Sequence, residues 1–220
     1  MKQVDTNLVH RVLMPANPGA DRHPAMLMLH GRGADEEDLL GLAPMLDERF
    51  IFISPRAPYP FPYSGGFTWY DLDDTGASDT AMFRSSYDCL CGFIQDILKQ
   101  YPIDPANFFL YGFSMGTMMS FALSLTMPHL FRGVMANSGY VPMNGELSYR
   151  WLDLSSVHFF IAHGLFDPVI PVEMARQTKE LFRSSNASWT YKEYPMAHEI
   201  SAESVSDAAR WLNERLTVTP

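Results

Sequence analysis

The chain has 220 residues, of which 47% are hydrophobic and 19% charged, with a formal net charge of -9. That length supports a full hydrophobic core, and a single domain over residues 1–220 is expected. The acidity argues against a nucleic-acid surface, which needs clustered Lys and Arg, and no apolar run is long enough to span a bilayer.

Residues 1–6 have no apolar core of a secretory signal, so a cytoplasmic protein is expected. Strands and helices then alternate along the whole chain, the pattern of a mostly parallel sheet covered on both faces. Residues 8–14 read as an edge strand, and the continuous apolar runs 25–29 and 50–53 as buried strands, with a short helix over 38–46 between them. Residues 54–80 are rich in Pro, Gly and aromatic side chains, Trp69 and Tyr70 among them. A loop so long and aromatic is expected to wall or cover a substrate pocket.

A helix follows over 86–99, with Leu90, Phe93, Ile94, Ile97 and Leu98 on one face. It carries Cys89 and Cys91, which point in different directions at that spacing and are expected as reduced thiols. Further ligands for a Cys-x-Cys metal site are missing, and neither a metal nor an organic cofactor is expected.

The run 108–111 is a buried strand that leads into Gly112-Phe113-Ser114-Met115-Gly116, and a helix is expected over 114–126. Strand, Gly-x-Ser-x-Gly turn and helix together form a nucleophile elbow, the signature of an α/β-hydrolase. The glycines allow strand and helix to approach closely. The turn lifts the Ser114 hydroxyl above the sheet, near a helix N-terminus that favours developing negative charge. Further strands are expected over 133–136, 157–161 and 188–192, and helices over 172–183 and 203–216.

A serine hydroxyl needs a base to take its proton, and in this fold the partners follow in the order Ser, Asp or Glu, His. Asp167 lies in the loop beyond a buried strand, on the face where open α/β sheets build their sites. His198 is the sole histidine C-terminal to it and falls between the last strand and the last helix. Imidazole suits the role because it accepts and returns a proton near neutral pH, and the acid fixes its tautomer. His163, just before Asp167, reads as structural, and His10, His23, His129 and His158 lack a supporting context. Ala202 occupies the second histidine position of a His-Glu-x-x-His zinc motif, which excludes that reading.

An oxyanion needs two preorganised N–H donors. One is expected from the backbone of Met115, and the other from the loop Leu29-His30-Gly31-Arg32-Gly33-Ala34-Asp35. That loop lacks both the Lys-Ser/Thr of a phosphate loop and the third Gly of a dinucleotide pattern.

The chain resembles the phospholipase/carboxylesterase family of small α/β-hydrolases without a cap domain, which includes the acyl-protein thioesterases. The markers are the residues 29–36, Trp69-Tyr70-Asp71, the elbow, Asn137-Ser138-Gly139-Tyr140, His163-Gly164 with Asp167, and Ala197-His198. The resemblance implies the Arg32 backbone N–H as second oxyanion donor. The chain departs from the family pattern at Met115, where many members carry Gln, and at Thr117, where they carry Gly. The backbone donor survives the first change. Met115, Met143 and Met196, with the aromatic residues Trp69, Tyr70 and Tyr140, suggest an adaptable apolar acyl or aryl pocket.

The expected activity is hydrolysis of a small-molecule carboxylic ester through an acyl-enzyme. A thioesterase or lysophospholipase would use the same machinery. A dienelactone-type hydrolase lacks its usual Cys in the elbow, and a binding protein on this scaffold would typically have lost a triad member. Exposed apolar loops leave room for a homodimer.

Overall fold

The computed structural model describes residues 6–15, 21–63 and 65–216. Nine strands are described: β1 (His10–Leu13), β2 (His23–Leu29), β3 (Ile51–Pro55), β4 (Tyr59–Phe61), β5 (Gly66–Thr68), β6 (Ile103–Phe113), β7 (Gly133–Asn137), β8 (His158–Gly164) and β9 (Ser188–Tyr194). The α-helices are α1 (Thr80–Gln100), α2 (Met115–Thr126), α3 (Val172–Arg183) and α4 (Ala202–Asn213).

Seven strands form one sheet in the order β1-β3-β2-β6-β7-β8-β9. Only β1 runs antiparallel in it, at the edge beside β3. From β2 the chain winds one way to β3, then crosses to β6 on the other side. The C-terminal ends of β2 and β6 therefore flank a topological switch point, where open α/β sheets form a ligand crevice. Among the described residues no separate cap stands over it.

The sheet is buried on both faces, which explains the unbroken apolar runs. Leu27 and Leu29 of β2, with Ile51 and Ile53 of β3, pack with α1 and α2 residues such as Phe93, Ile97, Met119 and Phe121. The alternate residues Met26, Met28, Phe50 and Phe52 pack with Trp211 and Leu212 of α4 and with Leu39 of the 3-10 helix Asp38–Met45. Each fully buried Leu or Phe contributes about 1.5–3 kcal/mol.

The sequence expectations shift at element boundaries. Helix α1 starts at Thr80 rather than 86, because Asp79 caps it by accepting from the Met82 N–H at 2.9 Å. The 38–46 helix is a 3-10 turn with Pro44 inside it. Segment 54–80 holds a small antiparallel hairpin, β4 with β5, before α1 begins. Helix α4 covers Ala202–Asn213, shorter at its C-terminal end than 203–216.

Candidate active site

The elbow is strained in the way its sequence predicts. Ser114 sits between β6 and α2 with φ 53, a backbone region that side chains other than Gly rarely adopt. Its N–H donates to Asn137 O on β7 at 2.9 Å, and its own carbonyl accepts from Thr117 N at 2.9 Å. The glycines are required by space. A Cβ on Gly112 would lie 2.6 Å from Thr117 Cα, and one on Gly116 would lie 1.9 Å from Leu29 O. Thr117 fits because its hydroxyl donates to Asn137 O at 2.6 Å and its methyl group occupies space left by Gly139.

Asp167 and His198 come to Ser114 from the loops after β8 and β9. His198 Nδ1 lies 2.7 Å from Asp167 Oδ2, and Nε2 lies 2.9 Å from Ser114 Oγ. An ionised carboxylate only accepts, so Nδ1 carries the proton and Nε2 accepts from the serine hydroxyl. Asp167 Oδ1 accepts from the N–H groups of Val169 and Ile170, both at 2.9 Å. Burial pushes the Asp167 pKa up, but the His198 bond and these amides outweigh it and hold the carboxyl below its usual value. The Phe113 ring lies against the imidazole, with centroids 5.0 Å apart. His163 is fully buried behind the pair, with Nε2 at 2.8 Å from Ile170 O and 3.4 Å from Asp167 Oδ2.

Opposite the elbow lies the loop after β2. Among the described residues, neither the Arg32 nor the Met115 backbone N–H has a protein acceptor. The loop is held from beneath by His30, which is fully buried. Its Nε2 accepts from Ala57 N at 3.0 Å, so Nδ1 carries the proton and donates to Gly31 O at 2.7 Å. Burial lowers the His30 pKa and keeps the ring neutral. The hairpin adds a short ladder: Gly33 N donates to Phe67 O and Phe67 N donates to Ala34 O, each at 2.8 Å. The two backbones are so close that a Cβ on Gly66 would lie 2.1 Å from Gly33 O. At the end of the loop, buried Glu36 takes a two-pronged bond from Arg56, 2.6 Å on each prong, and Arg56 stacks over Phe67. The Arg56 hydrogen bonds hold the Glu36 carboxyl below its usual pKa.

A cavity of about 460 Å³ opens beside Ser114, lined in part by Met118, Tyr140, Val169 and Met174. A second, of about 340 Å³, adjoins it at Gly76, Tyr140 and Met174 and reaches Tyr70 and Met143. Tyr70, Tyr140 and Met143 thus line this space. Trp69 and Met196 line neither cavity. Trp69 is buried beneath the loop after β2 and donates its indole N–H to His30 O at 3.0 Å. Met196 packs in the core layer with Tyr194 and Ala208. Sequence reasoning missed His30, Ala57 and the Glu36–Arg56 pair as supports. The one signal available was the density of Gly in 31–33 and 65–66, which marks close backbone approach.

Among the described residues no group of three His, Cys, Asp or Glu could hold a metal ion, and no helix is long and apolar enough to cross a membrane. Cys89 and Cys91 are free thiols.

Similarity to known proteins agrees with this architecture. The acyl-protein thioesterase 1 of Kluyveromyces lactis is 28% identical over 94% of this chain and 96% of its own length. That of Candida albicans is 26% identical over 93% and 96%. Among solved structures, a Bacillus cereus carboxylesterase superposes with a TM-score of 0.84 at 23% identity, covering 96% of this chain and 95% of that one, which is a likeness of fold. The phospholipase/carboxylesterase family model matches residues 12–216. The chain therefore belongs to the phospholipase/carboxylesterase family of α/β-hydrolases and is a serine hydrolase.

Proposed function

We propose that this protein is a carboxylesterase acting on small to medium esters, with Ser114 as nucleophile, His198 as base and acid, and Asp167 as the orienting carboxylate. The observation that carries the reading is the unbroken chain from Ser114 Oγ through His198 to Asp167, at 2.9 and 2.7 Å. Ser114 Oγ attacks the ester carbonyl while its proton passes to His198 Nε2. The carbonyl oxygen becomes an anion held by the Arg32 and Met115 N–H groups. When the carbonyl re-forms, the C–O bond to the alcohol breaks, and the alcohol leaves with the proton from Nε2. Water then attacks the acyl-enzyme, giving a proton to Nε2. The acid is released as that proton returns to Ser114 Oγ. The protonated ring is stabilised throughout by Asp167, whose depressed pKa keeps it ionised.

A second reading has support of its own. The named relatives are acyl-protein thioesterases, and the adjoining cavities reach beyond the space that a short acyl group needs. Thioesters or lysophospholipids would use the same steps. A chain-length series on matched esters and thioesters separates the two by the ratio of their kcat/KM values.

The decisive experiment is fluorophosphonate labelling of wild type and Ser114→Ala, mapped by peptide mass. A single adduct at Ser114, absent from the variant and matched by loss of ester hydrolysis, is expected. Full retained hydrolysis by Ser114→Ala would sink the assignment. Failure of the folded wild type to take the probe would favour a silent binding protein.

A further inference from the structure

The substrate-facing surface carries very little charge. The cavity beside Ser114 has one charged side chain in its lining, Arg32, and the adjoining cavity has none. Among the described residues Arg32 belongs to no ion pair. Its guanidinium lies over the Phe61 ring, 4.6 Å from the centroid. That contact fixes the plane of the group without neutralising it. The nearby Arg56 is different, because Glu36 takes up its charge.

An unpaired guanidinium at the edge of an apolar cavity is matched to a planar anion. Its parallel N–H groups fit a carboxylate or phosphate, and the exposed side chain presents them at the cavity mouth. The chain as a whole carries -9, so its long-range field repels anions. An anionic substrate therefore needs a local cation, and Arg32 is the one this lining offers.

We infer that this site selects esters bearing an anionic group, a carboxylate or a phosphate, which the Arg32 side chain holds beside the scissile bond. The inference rests on Ser114 being the nucleophile. The two roles of Arg32 are separable: its backbone N–H faces the oxyanion, and its side chain reads substrate charge.

The test uses the full chain and its Arg32→Gln and Arg32→Lys variants. One substrate pair, p-nitrophenyl hemiglutarate against p-nitrophenyl valerate, puts charge on the acyl side. A second set, 4-acetoxybenzoate and 4-acetoxyphenyl phosphate against methyl 4-acetoxybenzoate, puts a carboxylate or a phosphate on the leaving group. The quantity read is the anionic-to-neutral ratio of kcat/KM, compared between wild type and variant so that intrinsic reactivity cancels. In at least one set the ratio is expected to fall about five- to tenfold in Arg32→Gln. Arg32→Lys should recover part of it, and added salt should lower it in wild type. The set that responds identifies the side and the anion. An unchanged ratio in both sets, with hydrolysis of the neutral esters present, overturns the inference and leaves the esterase reading standing. A wild type that neither hydrolyses the neutral esters nor takes a fluorophosphonate at Ser114 defeats the esterase reading, and the inference falls with it.

Discussion

The back of the site and its front are built from different materials. At the back, the loop after β2 is backed by main chain: Gly33 and Ala34 exchange hydrogen bonds with Phe67, and Gly66 meets Gly33 without room for a Cβ. Buried His30, Trp69 and Glu36 fasten it further. At the front, the walls are side chains, some from α2 and α3, such as Met118 and Met174, and others from exposed loops. Met143 is 65% exposed and Val169 64%, and the Gly76 turn has open space around it. Atoms that must be placed to a fraction of an ångström rest on backbone contacts, whereas surfaces that must accommodate a range of acyl groups are left adaptable.

The largest effect comes from breaking the element common to both regions. Asp167→Asn keeps an oxygen for the Val169 and Ile170 amides but turns an N–H₂ toward His198 Nδ1, forcing the wrong tautomer. A fall in kcat of about 10⁴ is expected with little change in Tm. A variant that keeps most of its rate would remove Asp167 from the mechanism.

Breaking the back alone comes next. Gly66→Ala drives a methyl group into Gly33 O and displaces the Arg32 N–H. A loss of about 10²–10³ in kcat, with KM changed much less, is expected from steady-state kinetics. Equal effects on kcat and KM would mean that the hairpin shapes the pocket rather than the oxyanion site.

The back carries an acid-sensitive group of its own. The His30 pKa is lowered by burial, so the unfolded chain takes up this proton first as pH falls. The stability that His30 contributes is present above its unfolded pKa of about 6.5 and is lost as pH drops through its folded value. Glu36 and Asp167, both held low, add a further loss below about pH 4. Urea denaturation at pH 7.5 and pH 5.5 is expected to give a lower midpoint at pH 5.5. The His30→Gln variant should show a smaller difference between the two.

The smallest effect belongs to the front. Met143→Ala should shift KM for the longest acyl esters and change stability by less than about 0.5 kcal/mol. A large loss of Tm would show that the front is as rigid as the back.

The same division decided what could be read from the sequence. The elbow was legible because its strain demands Gly at fixed offsets, and Asp167 and His198 because chain order orders them in this fold. Trp69 looked like a pocket wall because aromatic loops usually are, yet its indole N–H found a buried carbonyl. Met196 looked like a pocket residue because Met is common at adaptable sites, but its position beside Tyr194 places it in the core. The start of α1 was missed because Asp79 follows a loop of similar polar residues, and only the bond to Met82 marks it as a cap. Long-range supports such as Ala57 on His30 leave no local pattern at all.

The ladder between Gly33, Ala34 and Phe67 also bears on how this protein responds to heat. It consists of two hydrogen bonds between the loop after β2 and strand β5, whereas the seven-stranded sheet is locked by two apolar layers. Small, hydrogen-bond-poor units open at lower free energy than the core. Activity should therefore fade reversibly over a temperature interval in which far-UV dichroism is still that of the intact fold. On that expectation, the working limit of this enzyme follows the fastening of one hairpin rather than the melting of the molecule.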